Sequence, residues 1–512
     1  MRKKCFFILR FLIASLVIVI SVTGTNQILQ YKSLMADGHS IASTMQNFYA
    51  LDKDSADVIF LGSSHSMYSF IPQELYNQYG ITSYNLSSGV QPSILSYYLL
   101  KEALKTQSPD VVVMDVFVLF PVLDLDEPLN TQRTNVRSVV DNMKWDSVKI
   151  DLIHDICAYD SSFDMLSFIL PNIEYHSRWD ELEIDDFLYR IRASIPNLYG
   201  YKMSSGEYGD GEEYLPLQED RSAPAEDMHS VMKIYMDRIV ALCRDQEIDL
   251  VLVKTPDNSF TIGKHNAIQQ YAEENDIAFI DFNEETLYNE IQYDFSSDNI
   301  DYGHANHTGA LKLTTYIGSV LQQQYQLEAH YDSAMESSKE TYEIYSQDYY
   351  LTTIDDFTEY LSVLAENSDR YTIFISAQDD ASGSIDDTAR ELLSGLGLSV
   401  DWSDAYRKSY CAVVESGNVI LEEMSDDALK YSGTILDGAH SYSIQSAGFS
   451  AGNYSSIKID SPPGDSEDSV TAENELSKGS RGLNFVVYNN SRMTVIDSVC
   501  FDTYDSAWTA TR

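Results

Sequence analysis

Two short segments carry side chains that could do nucleophilic chemistry. The first is Gly62-Ser63-Ser64-His65-Ser66, and the second is Asp301-Tyr302-Gly303-His304 with Asn306, His307 and Gly309 just beyond it. A glycine at the end of a strand lets the chain turn sharply. A serine after that turn exposes its hydroxyl and its N–H where a helix begins. An aspartate three residues before a histidine can accept the Nδ1 hydrogen bond. That orients the imidazole and leaves Nε2 free to take a serine proton. Each segment alone is a weak signal; together they describe an acyl-transfer site. His304, His307 and Asp301 do not have the spacing of a helical zinc site, which prefers histidines four apart and a third ligand, so no metal and no other cofactor is expected. His65 could help activate a neighbouring serine or simply pack. His176 and Trp179, in His176-Ser-Arg-Trp179, could line a substrate cleft or pack a cap.

These segments need a scaffold, and the hydrophobic pattern supplies one. Residues 57–62, 81–86, 109–115, 248–254 and 277–281 read as short buried strands. Segments 91–105, 227–245, 264–274 and 308–326 read as helices between and after them. Strand–helix alternation of this kind predicts an α/β fold, a doubly wound parallel sheet with both faces covered. The serine segment follows the first strand and the Asp-x-x-His segment precedes the last helix, so one domain holds both. Residues 125–225 interrupt the alternation and read as an insertion or cap.

On these residues, 55–328 resembles the SGNH (GDSL-like) hydrolases, and most closely their membrane-anchored envelope relatives, such as alginate O-acetyltransferase and teichoic-acid D-alanylation proteins. The resemblance implies a flavodoxin-like fold, Ser64 as nucleophile, His304 as base and Asp301 as its orienter. It implies an oxyanion site from the N–H groups of Ser64 and Gly89, with Asn85 as a further donor. Two positions depart from the family pattern: Ser63 stands where it has aspartate, and Asp115 stands near where its G-x-N should fall. An ionised aspartate cannot donate to an oxyanion, so Asp115 is expected to meet substrate in some other way.

The chain is 512 residues with a formal charge of −45. A surface this acidic repels phosphate backbones and makes nucleic acid a poor partner. The N-terminus reads Met-Arg-Lys-Lys and then a largely apolar run over 6–22. This predicts a membrane anchor over 1–25, inserted with its basic end inside and the bulk of the chain extracellular; a cleaved signal with a secreted product is the alternative. Residues 26–54 read as a polar stalk and 329–345 as a structureless linker. None of Cys5, Cys157, Cys243, Cys411 and Cys500 forms a C-x-x-C pair. Cys411 and Cys500 fall in one late region, where a disulfide and two buried thiols are both open readings.

Residues 346–512 read as a separate compact domain. Arg481-Gly-Leu-Asn-Phe-Val-Val487 and Phe501-Asp-Thr503 resemble the interleukin-like EMT inducer (ILEI/PANDER) family, which implies a small, β-sandwich-like α/β binding module for carbohydrate. The two resemblances together imply an esterase or O-acyltransferase acting on an acylated glycan or cell-wall polymer, with a membrane-bound acyltransferase as partner if it transfers. The rival reading is a non-catalytic envelope adaptor built on a decayed hydrolase fold, to which the altered Asp115 segment gives some support.

Overall fold

The computed structural model describes residues 2–30, 41–121, 133–182, 186–187, 198–209, 211, 213–460 and 475–512. The chain divides into two compact units, Met1–Glu343 and Ile344–Arg512.

The first unit contains five parallel strands: β1 (Val58–Leu61), β2 (Ser83–Asn85), β3 (Val111–Asp115), β4 (Asp249–Lys254) and β5 (Ala278–Asp281). They are ordered β2-β1-β3-β4-β5. This is the doubly wound order that the alternation predicts, with its switch point beside β1 and β3. The apolar runs are continuous because both faces are buried. Ile59, Leu61, Val112, Met114, Leu250 and Leu252 pack on one face against the helices Ser93–Ala103 and Ser230–Asp245. Val58, Phe60, Val111, Val113, Val251 and Val253 pack on the other against Leu75 and the helix His307–Gln324.

Three expectations need correction. Residues 26–54 are not a free stalk. The N-terminal helix continues to Leu29, and the helix Ile41–Phe48 buries Met45 and Phe48 in the core while Thr44 O accepts from Tyr84 Oη at 2.7 Å. Nor is the insertion a detached cap. Val136, Val139, Leu152, Ile153 and Ile156 from the helices Arg133–Asn142 and Ser147–Tyr159 join the same core as Leu95 and Leu99. The supposed linker is helical, over Ser333–Thr353. Its buried residues Met335, Tyr342, Tyr345 and Tyr349 recur at helical spacing, but tyrosines among acids and serines do not read as an apolar stripe.

In the second unit, β6 (Tyr371–Asp379) pairs antiparallel with β7 (Ser409–Glu415) and β12 (Gly482–Asn489), which continues to β13 (Thr494–Phe501). Helices Phe357–Glu366 and Asp387–Gly395 cover one face through Tyr360, Leu361, Leu364, Ala389 and Leu393. The strands β9 (Leu429–Ile435), β10 (His440–Gly448) and β11 (Tyr454–Ile459) cover the other, where Ile444 and Ile457 meet Phe374, Val413 and Val486. These three strands belong to the same nine-stranded sheet, which β10 joins through short parallel pairing with the end of β6, so the unit is a helical layer on a folded-over, mostly antiparallel sheet. Cys411 on β7 and Cys500 on β13 are both free and buried. Two strands, β6 and β12, stand between theirs, and three interstrand steps of about 4.8 Å put them beyond disulfide reach. Burial pushes both thiols up to about 12.

Candidate functional site

The chain turns at Gly62 with φ +141°, and a Cβ there would lie 2.5 Å from the Cβ of Asp115. Glycine is therefore what lets β1 and β3 close together at their carboxyl ends. Asp115 uses that closeness. Its Oδ2 accepts from Ser63 N at 3.1 Å and Ser63 Oγ at 2.6 Å, and its Oδ1 accepts from Phe117 N at 3.2 Å. Ser63 Oγ in turn caps the helix Ser64–Ser69 by accepting from His65 N at 3.2 Å. The two departures from the motif thus bond to each other, a hydroxyl on one strand end and a carboxylate on the next. Asp115 is fully buried behind the serine. It holds the Ser63–Ser64 turn from within, where the expectation had it exposed to substrate. Burial raises its carboxyl above the ordinary range, while Lys254 and the Ser63 and Phe117 donors oppose that shift.

Ser64 then points at His304. Its Oγ lies 2.7 Å from His304 Nε2, and His304 Nδ1 lies 2.8 Å and 3.0 Å from the two Asp301 oxygens. The Asp301 carboxylate also accepts from the backbone N–H groups of Gly303 and His304, each at 2.9 Å. Burial works to raise its pKa, but His304 and these donors outweigh it and hold Asp301 below the usual range. The loop is pinned at its far end by Asn306. Asn306 caps the helix His307–Gln324 through Gly309 N at 3.0 Å, and its amide donates to Gly206 O at 2.9 Å and Ser297 O at 2.6 Å.

Of the expected oxyanion donors, two backbone N–H groups have no acceptor among the described residues, and the Asn85 side chain is bonded locally. The N–H groups of Ser63, His65 and Ser66 are all engaged locally. Ser64 N–H donates to no acceptor among the described residues. Neither does that of Gly89, whose neighbour Ser88 N donates to Gly62 O at 3.3 Å. Asn85, by contrast, is fully buried. Its amide donates to Ser66 O at 2.9 Å, and its Oδ1 accepts from Ser87 N at 3.2 Å. It ties the helix Ser64–Ser69 to β2 with one of its two amide N–H donors.

His65 is also buried rather than substrate-facing. Its ring stacks on Phe117 at 4.0 Å and tilts against His304 at 5.1 Å. Its Nδ1 lies 3.3 Å from Lys254 Nζ. Burial first, and then the Lys254 cation, hold it well below its ordinary pKa and therefore neutral. His176 is exposed, with Nδ1 3.0 Å from Ile173 O. Trp179 is 60% exposed. Among the described residues neither bonds to nor stacks on Ser64, His304 or Asp301. Both lie beside the end of the N-terminal helix instead.

Several residues at the site gave no sequence signal. Lys254, at the end of β4, is fully buried, 3.1 Å from Asp257 and 2.9 Å from Thr255 O. Tyr68 flanks the His304 ring at 5.0 Å, and Lys202 Nζ lies 4.9 Å from the Tyr68 ring. Lys202 arrives with the end of the insertion, whose backbone runs along the site: Lys202 N donates to Met67 O at 2.9 Å, and His307 N donates to Ser204 O at 3.0 Å. Gly200 makes this possible, since with φ +83° its Cβ would overlap Asn85 O at 1.9 Å. A lysine ending a buried strand was the one visible clue, because a buried cation demands anionic neighbours.

His307 faces away from the Asp301–His304 pair. It is buried, with Nδ1 3.0 Å from Tyr201 Oη. Among the described residues, no three His, Cys, Asp or Glu side chains converge as a metal cluster. Burial lowers the His307 pKa to about 4. Its folded value lies below the ordinary 6.5, so the unfolded chain binds the proton more tightly between these values, and stability falls as pH drops through that window. We expect His307→Phe to reduce the stability lost between pH 7 and pH 4.5 by about 2–3 kcal/mol. Urea unfolding of both proteins at the two pH values measures it. Equal losses would show that His307 does not carry this dependence.

Comparisons with known proteins bear on the two units unequally. Residues 330–418 match the family model of the interleukin-like EMT inducer. The match begins before the expected boundary at 346 and takes in the whole of the helix Ser333–Thr353. No curated relative matches the sequence. Two solved structures are similar to part of the chain. One is assigned as an acylhydrolase, from Bacteroides fragilis: 12% identical, covering 55% of this chain and 94% of its own, with a TM-score of 0.25. The other is a GDSL-like lipase from Bacteroides thetaiotaomicron: 12% identical, covering 56% and 100%, with a TM-score of 0.26. At such scores the architecture rests on the chain's own strand order and site geometry.

Proposed function

We propose that the chain is a membrane-anchored, extracytoplasmic serine esterase or O-acyltransferase that acts on acyl groups of envelope or secreted glycans. The observation that carries this reading is the continuous Ser64–His304–Asp301 hydrogen-bond chain, at 2.7 Å and 2.8 Å. In the first half-reaction, Ser64 Oγ attacks the ester carbonyl as His304 Nε2 takes its proton. The tetrahedral oxyanion forms against the Ser64 and Gly89 N–H groups. It collapses with the His304 proton passing to the leaving alcohol, and the acyl group stays on Ser64. Water or a sugar hydroxyl then attacks, again with His304 as base, which gives hydrolysis or transfer respectively. Asp301 keeps Nδ1 protonated and stabilises the imidazolium.

The N-terminal helix supports the membrane placement. Arg10–Leu29 is long and apolar enough to cross a bilayer, a property that a signal sequence shares. The family match at 330–418 supports a binding role for the second unit, which we assign to the glycan. Transfer would call for a membrane-bound acyltransferase as donor partner. The Asp115 segment, which first favoured a non-catalytic adaptor, now has a positive use in seating Ser63. The test is a fluorophosphonate probe on the intact protein followed by peptide mapping. A single adduct on Ser64 is expected. No adduct, or one on another serine, overturns the assignment.

A further inference from the structure

The segment from Met165 to Asp180 has an outer side unlike the rest of this acidic protein. It folds as the short helices Met165–Ile169 and Asn172–Tyr175 and a 3₁₀ turn, His176–Asp180. Inward, Phe168 is buried, with the Arg137 guanidinium 4.1 Å from its ring. Outward, Leu166, Ile169, Ile173 and Trp179 are 50%, 50%, 43% and 60% exposed, with Met165 and Leu170 beside them. So many large apolar side chains in sixteen residues, on a chain with a formal charge of −45, form a patch that water does not favour.

A second observation says what covers it. The same segment is bonded to the carboxyl end of the N-terminal helix. Asn172 N donates to Asn26 Oδ1 at 3.1 Å, and Arg178 Nη1 donates to the carbonyls of Leu29 at 2.8 Å and Gln30 at 3.1 Å. A guanidinium on the last carbonyls of a helix satisfies groups the helix leaves open and suits its dipole. The helix itself exposes Phe11, Leu12, Leu16, Ile18 and Ile20 by more than half. If that helix crosses a bilayer, its end at Asn26–Gln30 lies at the outer interface, and whatever is bonded to that end lies there too. Tryptophan and aliphatic side chains on short helices are what that layer accepts.

We infer that segment 165–180 inserts its apolar side into the outer interfacial layer of the bilayer that the N-terminal helix crosses, seating the Ser64 domain directly on the membrane. The inference rests on reading that helix as an anchor. The attraction is apolar, so it requires no anionic lipid.

The chain has four tryptophans, and Trp179 is the reporter. The full chain is reconstituted into vesicles of phosphatidylcholine, either unmodified or brominated in the acyl chain near the headgroup. Bromine should lower the Trp179 part of the emission, taken as the difference between wild type and Trp179→Phe, by about twofold or more. The double variant Leu166→Asp, Ile169→Asp, at two exposed positions, should restore it. Chain that floats with vesicles but keeps unquenched Trp179 emission would overturn the seating while leaving the anchor intact. Chain that does not float would overturn the anchor and the seating together.

Discussion

Ser64→Ala is expected to lower turnover of a small activated ester by about 10⁴-fold or more, because one hydroxyl supplies the nucleophile for the whole reaction. Folding should hardly change. Ser64 Oγ has His304 Nε2 as its one hydrogen-bond partner among the described residues, and a single such bond contributes about 1 kcal/mol. His304→Ala should fall to a similar floor rather than multiply the loss, since the two residues act as a unit. Steady-state kinetics on the three proteins, with thermal melts alongside, make the measurement. Comparable turnover in wild type and Ser64→Ala would end the enzyme reading.

The second large effect is on stability. Lys254 and Asp257 are both buried, 3.1 Å apart. Asp257 Oδ2 has no hydrogen-bond partner beyond that ion pair. Burial works to raise the Asp257 pKa, but the Lys254 cation and the Ser259 donors overcome it and hold the carboxylate far below its ordinary range. Lys254→Met keeps the volume and removes the charge. Leaving a buried carboxylate without its cation costs about 3–5 kcal/mol, a drop of roughly 4–7 °C in Tm for a unit of this size. The sign with pH follows. A depressed carboxylate contributes stability above its unfolded pKa and loses it as pH falls toward the folded value. The gap between wild type and Lys254→Met should therefore be widest near neutral pH and narrow below about pH 4. Adding Asp257→Asn should recover part of the loss at pH 7. Melts of the three proteins across pH test this, and a single-variant shift below about 2 °C would show that Lys254 does not neutralise this pocket.

Lys254 also marks where sequence reasoning stopped. Read along the chain, it ends an apolar run and looks like a strand reaching water. In the fold it turns inward beneath His65, because β4 lies beside β3, whose last residue is Asp115, and leads into the turn that carries Asp257. The cost of burying one charge is met by carboxylates 3 and 139 positions away, and only the nearer one is visible locally. His65 follows from the same cluster. With a cation at 3.3 Å and an aromatic ring stacked on it, it is a neutral packing residue beneath His304, not an activator of Ser64.

The sequence by itself determined the parallel sheet, the covering helices and the contact of Asp301 with His304, which follow from periodicity and from short-range geometry; the grouping of Ser64 with them was what the family resemblance implied. A fully buried strand must be apolar throughout, a turn after it needs glycine, and an aspartate three residues before a histidine reaches its Nδ1 within one loop. Tertiary structure alone decided everything that depends on which strand ends meet. It made Asp115, expected to meet substrate, the clamp on Ser63, bonded the Asn85 amide to Ser66 O, and kept Cys411 and Cys500 three strand steps apart. It also made a helix of Ser333–Thr353, where tyrosines supply the buried stripe, and it bonded the His176–Trp179 segment to the N-terminal helix instead of Ser64. A buried polar group is explained by its partner, and partners distant in sequence meet only when the sheet order brings their strand ends together.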